Sequence, residues 1–397
     1  MKKSFLLGLL LLPVLVFSQT YYGDTIWVRD YSSNSANSCA FSPADTNLAV
    51  AYDCLGPMVR VLNVTDGSII WESATPDLCL FNIQFSSSGQ YIAIAEELGH
   101  LMVIDITIPD TLYNIDTQTG GLNAVDFSVT GDTVYAGGND GSIRVYQTST
   151  GSLLHNFTAH SGYVLTLDVS ETGHYLATGS KDNTVKVWDL QNSYQLVYTF
   201  TNHLDDVKTV KFTPDENRLL SGSVDNTINA YVLADGSLDT VLTFHSADVN
   251  TIDISDDGSF AVSGSNDQSA RMFNLNNYDS VSIFTNLLQT WVYGVAISHQ
   301  MDKLATTNHV GAVIMYDIST LIGTEEIVLD PLIIYPNPAA DFIQISNLAQ
   351  AVNFEIISIN GQVVQNGITA NTIDIRSLPK GIYILHIGDR FSKIIKQ

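Results

Sequence analysis

Three histidines, His160, His203 and His245, recur at intervals of 43 and 42 residues. Imidazole is the commonest metal ligand, but metal ligands must converge on one point. Residues separated by a whole repeating unit sit on different units, so this spacing predicts no metal centre. The turn Ser255-Asp256-Asp257-Gly258 suggests calcium, yet it lacks the alternating ligands of an EF-hand loop and reads as an Asp-Gly turn. Gly137-Gly138-Asn139-Asp140-Gly141 resembles a phosphate cradle in composition. It falls at the same place in its unit as Gly179–Asn183 and no helix follows, so it reads as a turn between strands. The chain has no HExxH, GxGxxG, P-loop or GxSxG. No catalytic residue, cofactor or metal is therefore expected. One route to catalysis stays open, a hydrolase built on two converging carboxylates, one with a raised pKa.

The cysteines are Cys39, Cys54 and Cys79, with no CxxC pair. On the repeat, Cys54 aligns with Ser180 and Cys79 with Tyr163, at the same end of neighbouring units. Cys54–Cys79 is the candidate disulfide, with one thiol left over.

The elements that carry these residues follow from composition and period. The 397 residues allow two or three domains. Seventeen Lys+Arg face 41 Asp+Glu, a net charge of −24. That excess argues against nucleic acid and against an anionic membrane surface as partners. Forty-five per cent of residues are hydrophobic, enough for a large core, and 27 Gly with 18 Tyr favour strands and turns. At the N-terminus, Lys2 and Lys3 precede an apolar run of 13 residues, Phe5 to Phe17, and Val16 and Ser18 suit a cleavage site before Gln19. Residues 1–18 are read as a signal peptide. No later apolar run reaches the length of a membrane span.

Leu62, Ile104, Tyr146, Trp188, Tyr231, Phe273 and Tyr316 are spaced by 42, 42, 42, 43, 42 and 43 residues. A period of 40–45 is the mark of a propeller blade. In the fourth unit the pattern predicts strands over Val164–Ser170, Tyr175–Gly179, Thr184–Asp189 and Gln195–Phe200, with Gly, Asp and Asn in the turns. Four strands cannot cover both of their own faces, but seven such sheets packed around an axis cover one another.

The run from His160 through Thr178-Gly179-Ser180-Lys181-Asp182-Asn183 to Trp188-Asp189 resembles a WD-repeat, and so do the units opening at His203 and His245. The resemblance covers roughly Thr25 to Ser319. It implies an all-β, seven-bladed WD-repeat β-propeller over residues 19–320. It also implies a buried tetrad: His160, Thr178 or Ser180, Asp182 and Trp188. The fifth and sixth units keep His203 with Asp225 and His245 with Asp267, but carry Tyr231 and Phe273 in place of Trp. It further implies that Thr25-Ile26-Trp27-Val28 closes the ring beside Val313–Asp317. By the repeat alignment, Tyr163, Asp206, Asp248 and Trp291 open the inner strands and form the rim of the central channel, the candidate binding residues. The expected activity is recognition of a protein, peptide or glycan at the propeller face, with a secreted hydrolase as the alternative.

After Ser319 the period stops. Residues 321–331 read as a linker, and residues 332–397 carry 5 Lys+Arg against 4 Asp+Glu, whereas residues 19–331 carry 10 against 37. Strands are predicted at Asp341–Ser346, Asn353–Ile359, Thr372–Ile375, Ile382–Ile387 and Phe391–Lys396, with a hairpin turn at Asn360-Gly361. This grammar fits a small Ig-like β-sandwich. The tail resembles the type A C-terminal sorting domain of the type IX secretion system. The matching positions include Tyr335, Pro336, Asn337, Pro338, Gly361, Gly381, Tyr383 and Lys393. The resemblance implies a Bacteroidota-type source, contact with the type IX machinery, and a mature protein released or held at the outer surface.

Overall fold

A computed structural model describes residues 19–21, 25–30, 35–53, 59–73, 79–108, 110–285, 289–322, 334–335, 337–345, 352–358, 363–369, 371–387 and 390–397. The expected signal peptide, Cys54, Pro336 and Gly361 lie outside them, as does the side chain of Lys393. The chain divides into two compact units, Met1–Ile322 and Gly323–Gln397.

Among the described residues the regular elements of the first unit are strands and the short helix Ser319–Ile322. Among the described residues it holds seven antiparallel sheets. Their first strands are Ala36–Phe41, Leu80–Phe85, Leu122–Phe127, Val164–Val169, Val207–Phe212, Val249–Ile254 and Val292–Ile297. Each first strand packs against the next, and Val292–Ile297 packs against Ala36–Phe41, so the contacts return to their start. This repetition of four-stranded sheets is consistent with a WD-type β-propeller. In the fourth sheet the remaining strands are Tyr175–Ser180, Val185–Asp189 and Gln195–Phe200, within a residue or two of the bounds read from the pattern.

Burial is greatest on the second strands and least on the fourth. The second strand Tyr175–Ser180 is buried at five of its six positions, whereas the fourth strand Leu153–Thr158 of the third sheet is exposed at all but one. The core lies between sheets. Ala177, Val185 and Val187 of the fourth sheet pack with Val207, Val210, Leu219 and Tyr231 of the fifth. Gly179 explains why glycine recurs on the second strands. A Cβ there would sit 2.7 Å from Val207 Cγ1 of the next sheet, and Gly137, Gly222 and Gly264 meet Val164, Val249 and Val292 in the same way.

The last sheet takes its outer strand from the N-terminus. Thr25–Asp30 pairs antiparallel with Ala312–Asp317, and buried Trp27 donates from Nε1 to Val64 O at 2.8 Å. A further strand, Gln19–Tyr21, pairs in parallel with the outer strand Ser280–Thr285 of the sixth sheet. It continues the covering of sheet edges that closure begins. The sequence did not signal it, because three residues carry no readable alternation. The unit also runs past residue 320. Leu321, placed in the expected linker, donates its amide to Ile318 O and packs on the apolar cluster that contains Ile318.

Among its described residues the second unit has two sheets. One joins Ile334–Tyr335, Phe342–Ile345 and Thr372–Asp374; the other joins Val363–Thr369, Val352–Ser358, Gly381–Ile387 and Arg390–Lys396. Both contribute to one core, with Ile343, Ile345 and Ile373 from the first and Phe354, Ile356 and Leu385 from the second. Val363–Thr369 was not among the predicted strands, because its Asn366-Gly367 reads as a turn. Within this unit Tyr383 is buried and donates to Pro379 O at 2.9 Å, and Asn337 Oδ1 accepts the Ile395 amide at 2.8 Å. Gly381 opens its strand beside the Tyr383 ring, Tyr335 is exposed, and Asn337-Pro338 is a cis peptide.

Candidate binding face and channel

Each histidine is held by its own unit. His160 Nδ1 lies 3.1 Å from both oxygens of Asp182, and Nε2 lies 2.7 Å from Thr178 Oγ1. Trp188 Nε1 donates to the same Thr178 oxygen at 3.0 Å, so Thr178 is the hydroxyl of the tetrad. Ser180 does another job, accepting the Asp182 amide at 3.0 Å to fix the turn. His203 repeats the geometry with Asp225 at 2.9 Å and Ser221 at 2.7 Å, and His245 with Asp267 and Ser263, both at 2.8 Å. Burial pushes His160 down to about 4, outweighing the pull of Asp182, and it pushes His203 down as well. Burial would raise Asp182, but hydrogen bonds from Thr184 and the His160 side chain hold it well below the ordinary carboxylate range. These groups satisfy one another inside a sheet, which leaves them no capacity for a ligand.

The seven first strands line a cavity of about 760 Å³. Each first strand skips one residue in pairing with its second strand, as between Val164 and Thr166, and a bulge of this kind sharpens twist. Side chains then fasten one first strand to the next. Val169 N–H donates to Asp126 Oδ2 at 2.9 Å, Phe212 N–H to Asp168 Oδ2 at 2.8 Å, and Ile297 N–H to Asp253 Oδ2 at 2.7 Å. Thr166 and Thr209 accept from Val210 and Ile252 in the same manner. Lys211 answers the carboxylates, with Nζ 2.8 Å from Asp168 Oδ1. Burial, then the neighbouring Asp168, push Asp126 up to about 7. Burial also raises Asp253, against the pull of Lys211.

Tyr163, Asp206, Asp248 and Trp291 occupy one equivalent position. The carbonyl of each accepts an amide from the turn after its second strand: Lys181, Val224, Asn266 and His309. Ser35, Cys79 and Gly121 hold the same place in the first three sheets. None of the four expected rim residues is among those that line the cavity itself. The ring at that end is set by residues two positions on, including Asn37, Phe81, Asn123, Leu165, Lys208 and Tyr293. Tyr163 and Trp291 instead face solvent, 43% and 42% exposed. The same end of the unit exposes Leu98, Leu204 and Val310 in its turns and Phe81 at the start of its strand. Among the large apolar residues of the opposite turns, Ile108 and Val129 are the exposed ones in the described residues.

Cys79 is disulfide-bonded and Cys39 is a free, buried thiol on the channel wall. The expected partner of Cys79, Cys54, lies outside the described residues. Among the described residues no cluster of side chains could hold a metal ion, and no helix is long and apolar enough to cross a membrane.

Residues 110–147, 151–189, 194–231 and 236–274 match the family model of the WD domain, G-beta repeat. Residues 333–397 match that of the secretion system C-terminal sorting domain. No curated protein matches the chain. The chain therefore carries WD repeats, which suggest a protein-interaction scaffold, and a type IX sorting tail, which indicates export to the cell surface or the extracellular space.

Proposed function

We propose that the protein is an exported scaffold that docks a protein or peptide partner on the face where the first strands begin. In this reading residues 1–18 are a signal peptide and the unit from residue 19 to residue 322 is a seven-bladed propeller. A linker follows up to residue 331, and residues 332–397 are an Ig-like sorting domain that engages the type IX machinery. One observation carries the choice of face: large apolar side chains collect there in solvent, led by Leu204 at 85% exposure, with Tyr163 and Trp291. Exposed aromatics of this kind anchor interfaces. The acidic surface favours a partner with a basic or amphipathic face. The test is capture of surface proteins by the full secreted chain. Leu204→Glu with Trp291→Ala removes capture, while Pro214→Glu on the opposite turns leaves it intact; the reverse outcome moves the site to the other face.

The hydrolase reading has one observation in its favour, the raised Asp126 beside Asp168 in the channel. Both Asp126 oxygens, however, accept backbone amides, from Phe127 and Val169. A carboxyl committed in this way fastens strands and does not reach a substrate.

A further inference from the structure

Three rings gather on the proposed docking face at the start of the seventh sheet. The ring centroids of Trp291 and His309 are 4.8 Å apart, those of Tyr293 and His309 5.6 Å, and those of Trp291 and Tyr293 6.2 Å. Their planes meet at 37°, 80° and 50° respectively, so the rings form a cup and not a stack. The cup is held by backbone and side-chain hydrogen bonds, with the Tyr293 hydroxyl 3.3 Å from His309 Nδ1. His309 N–H donates to Trp291 O at 3.1 Å, and the Ser35 hydroxyl donates to His309 O at 2.9 Å. Trp291 and His309 stay exposed, so core packing does not account for the cluster.

Negative charge stands beside the rings. Asp248 holds the position equivalent to Trp291 on the neighbouring sheet, and the Asp53 amide donates to Ser35 O, next to His309. After burial, these two carboxylates are what push the Tyr293 phenol up. The fourth sheet shows what such a ring attracts. There Tyr163 takes the place of Trp291, and Lys181, 18 residues on, puts Nζ 4.9 Å from the ring centroid. The residue 18 positions after Trp291 is His309, so the seventh sheet supplies a further ring where the fourth supplies an ammonium.

We propose that Trp291, Tyr293 and His309, flanked by Asp248 and Asp53, form a subsite for an arginine side chain of the protein partner. The inference rests on the docking face argued above. Ring faces attract cations, and a guanidinium stacks on them while its edge donors reach carboxylates. It is also less strongly hydrated than an ammonium, so it gives up water more readily at a half-open site.

The probe is the blocked pentapeptide Gly-Gly-Arg-Gly-Gly against its citrulline counterpart, which keeps the shape and loses the charge. Saturation-transfer NMR on the full secreted chain reads the side-chain methylenes. The arginine peptide gives signal and the citrulline peptide far less. Trp291→Leu weakens arginine binding by roughly 3- to 30-fold, the range for one cation–ring contact. Trp291→Phe keeps most of the binding, and Asp248→Asn lowers it with reduced salt dependence. Melting temperatures of the variants check the fold. Equal signals from the two peptides, no signal from either, or an unchanged Trp291→Leu overturns the proposal. If partner capture still depends on Leu204 when the peptides fail to discriminate, the docking face stands and the arginine cup falls.

Discussion

Replacing Thr178 with valine removes one oxygen and keeps the shape of the side chain. That oxygen meets two ring nitrogens, His160 Nε2 at 2.7 Å and Trp188 Nε1 at 3.0 Å, and all three residues are buried. With Nδ1–H of His160 given to Asp182, the hydroxyl donates to Nε2 and accepts from the indole. Thr178→Val therefore strands one acceptor and one donor. Each buried group left unpaired costs about 1–3 kcal/mol, and a methyl in place of the hydroxyl offsets part of it, so we expect a loss of about 2–4 kcal/mol. The sixth sheet provides a control within the same molecule. Ser263 Oγ meets His245 Nε2 at 2.8 Å, but the residue in the tryptophan position is Phe273, which has no N–H. Ser263→Ala strands one group and should cost about 1–2 kcal/mol. Urea denaturation at pH 7.5 measures both, with the slopes compared to show that the unfolding transition is unchanged. A Thr178→Val cost no larger than that of Ser263→Ala would refute the reasoning, because the tryptophan contact would then contribute nothing.

Buried groups make the first unit respond to acid in two opposite senses. His160 titrates near 4 when folded and near 6.5 when unfolded, so its contribution is complete above pH 6.5 and is lost as pH falls towards 4, to about 3 kcal/mol. Asp126, raised to about 7, acts in the opposite sense, so the His160 loss is read as the difference between wild type and His160→Gln in denaturation midpoints at pH 7.5, 5.5 and 4.5; a difference that does not change with pH counts against a neutral buried His160. Gly179→Ala puts a methyl 2.7 Å from Val207 Cγ1 and should lower stability by about 1–3 kcal/mol, seen as a lower melting temperature. Met301 has φ 55° where Gly89, Gly131, Gly173 and Gly258 stand in sister turns, so Met301→Gly should raise stability by about 0.5–1 kcal/mol in the same assay. Deleting residues 332–397 should leave a folded first unit inside the cell envelope; cell fractionation showing undiminished surface or medium levels would contradict a delivery role for the tail.

The repeat was legible because one buried position per unit, from Leu62 to Tyr316, must be large and apolar, and the sheets enforce its spacing. The tetrad was legible for the same reason, except for the choice between Thr178 and Ser180. Both are small hydroxyl residues two positions apart on one strand, and only the turn geometry separates their tasks. The channel carboxylates were not legible. Asp126, Asp168 and Asp253 lie inside strands among apolar neighbours, and their work is to accept amides from the next sheet, a contact some 43 residues away in sequence. The equivalence of Tyr163, Asp206, Asp248 and Trp291 followed from the period, but that residues two positions on line the cavity in their place depends on the bulge in pairing, which leaves no mark in composition. The ring cluster joins Trp291 to His309 across a turn, and no motif announces it.

The strand Thr25–Asp30 pairs with residues near the far end of its unit, Thr25 lying opposite Tyr316, 291 positions later. A chain delivered from its N-terminus presents that strand first and the surface it needs last. Every sheet before the last can assemble as it emerges, yet the seventh stays one strand short until both ends are present. Contacts of such long separation are slow to form, because the ends must find each other across the whole unit. The ring is thus either whole or open, and a chain cut short before Ala312 keeps an unsealed seam. The junction of Thr25–Asp30 with Ala312–Asp317 makes completeness of the first unit a condition for its finished fold.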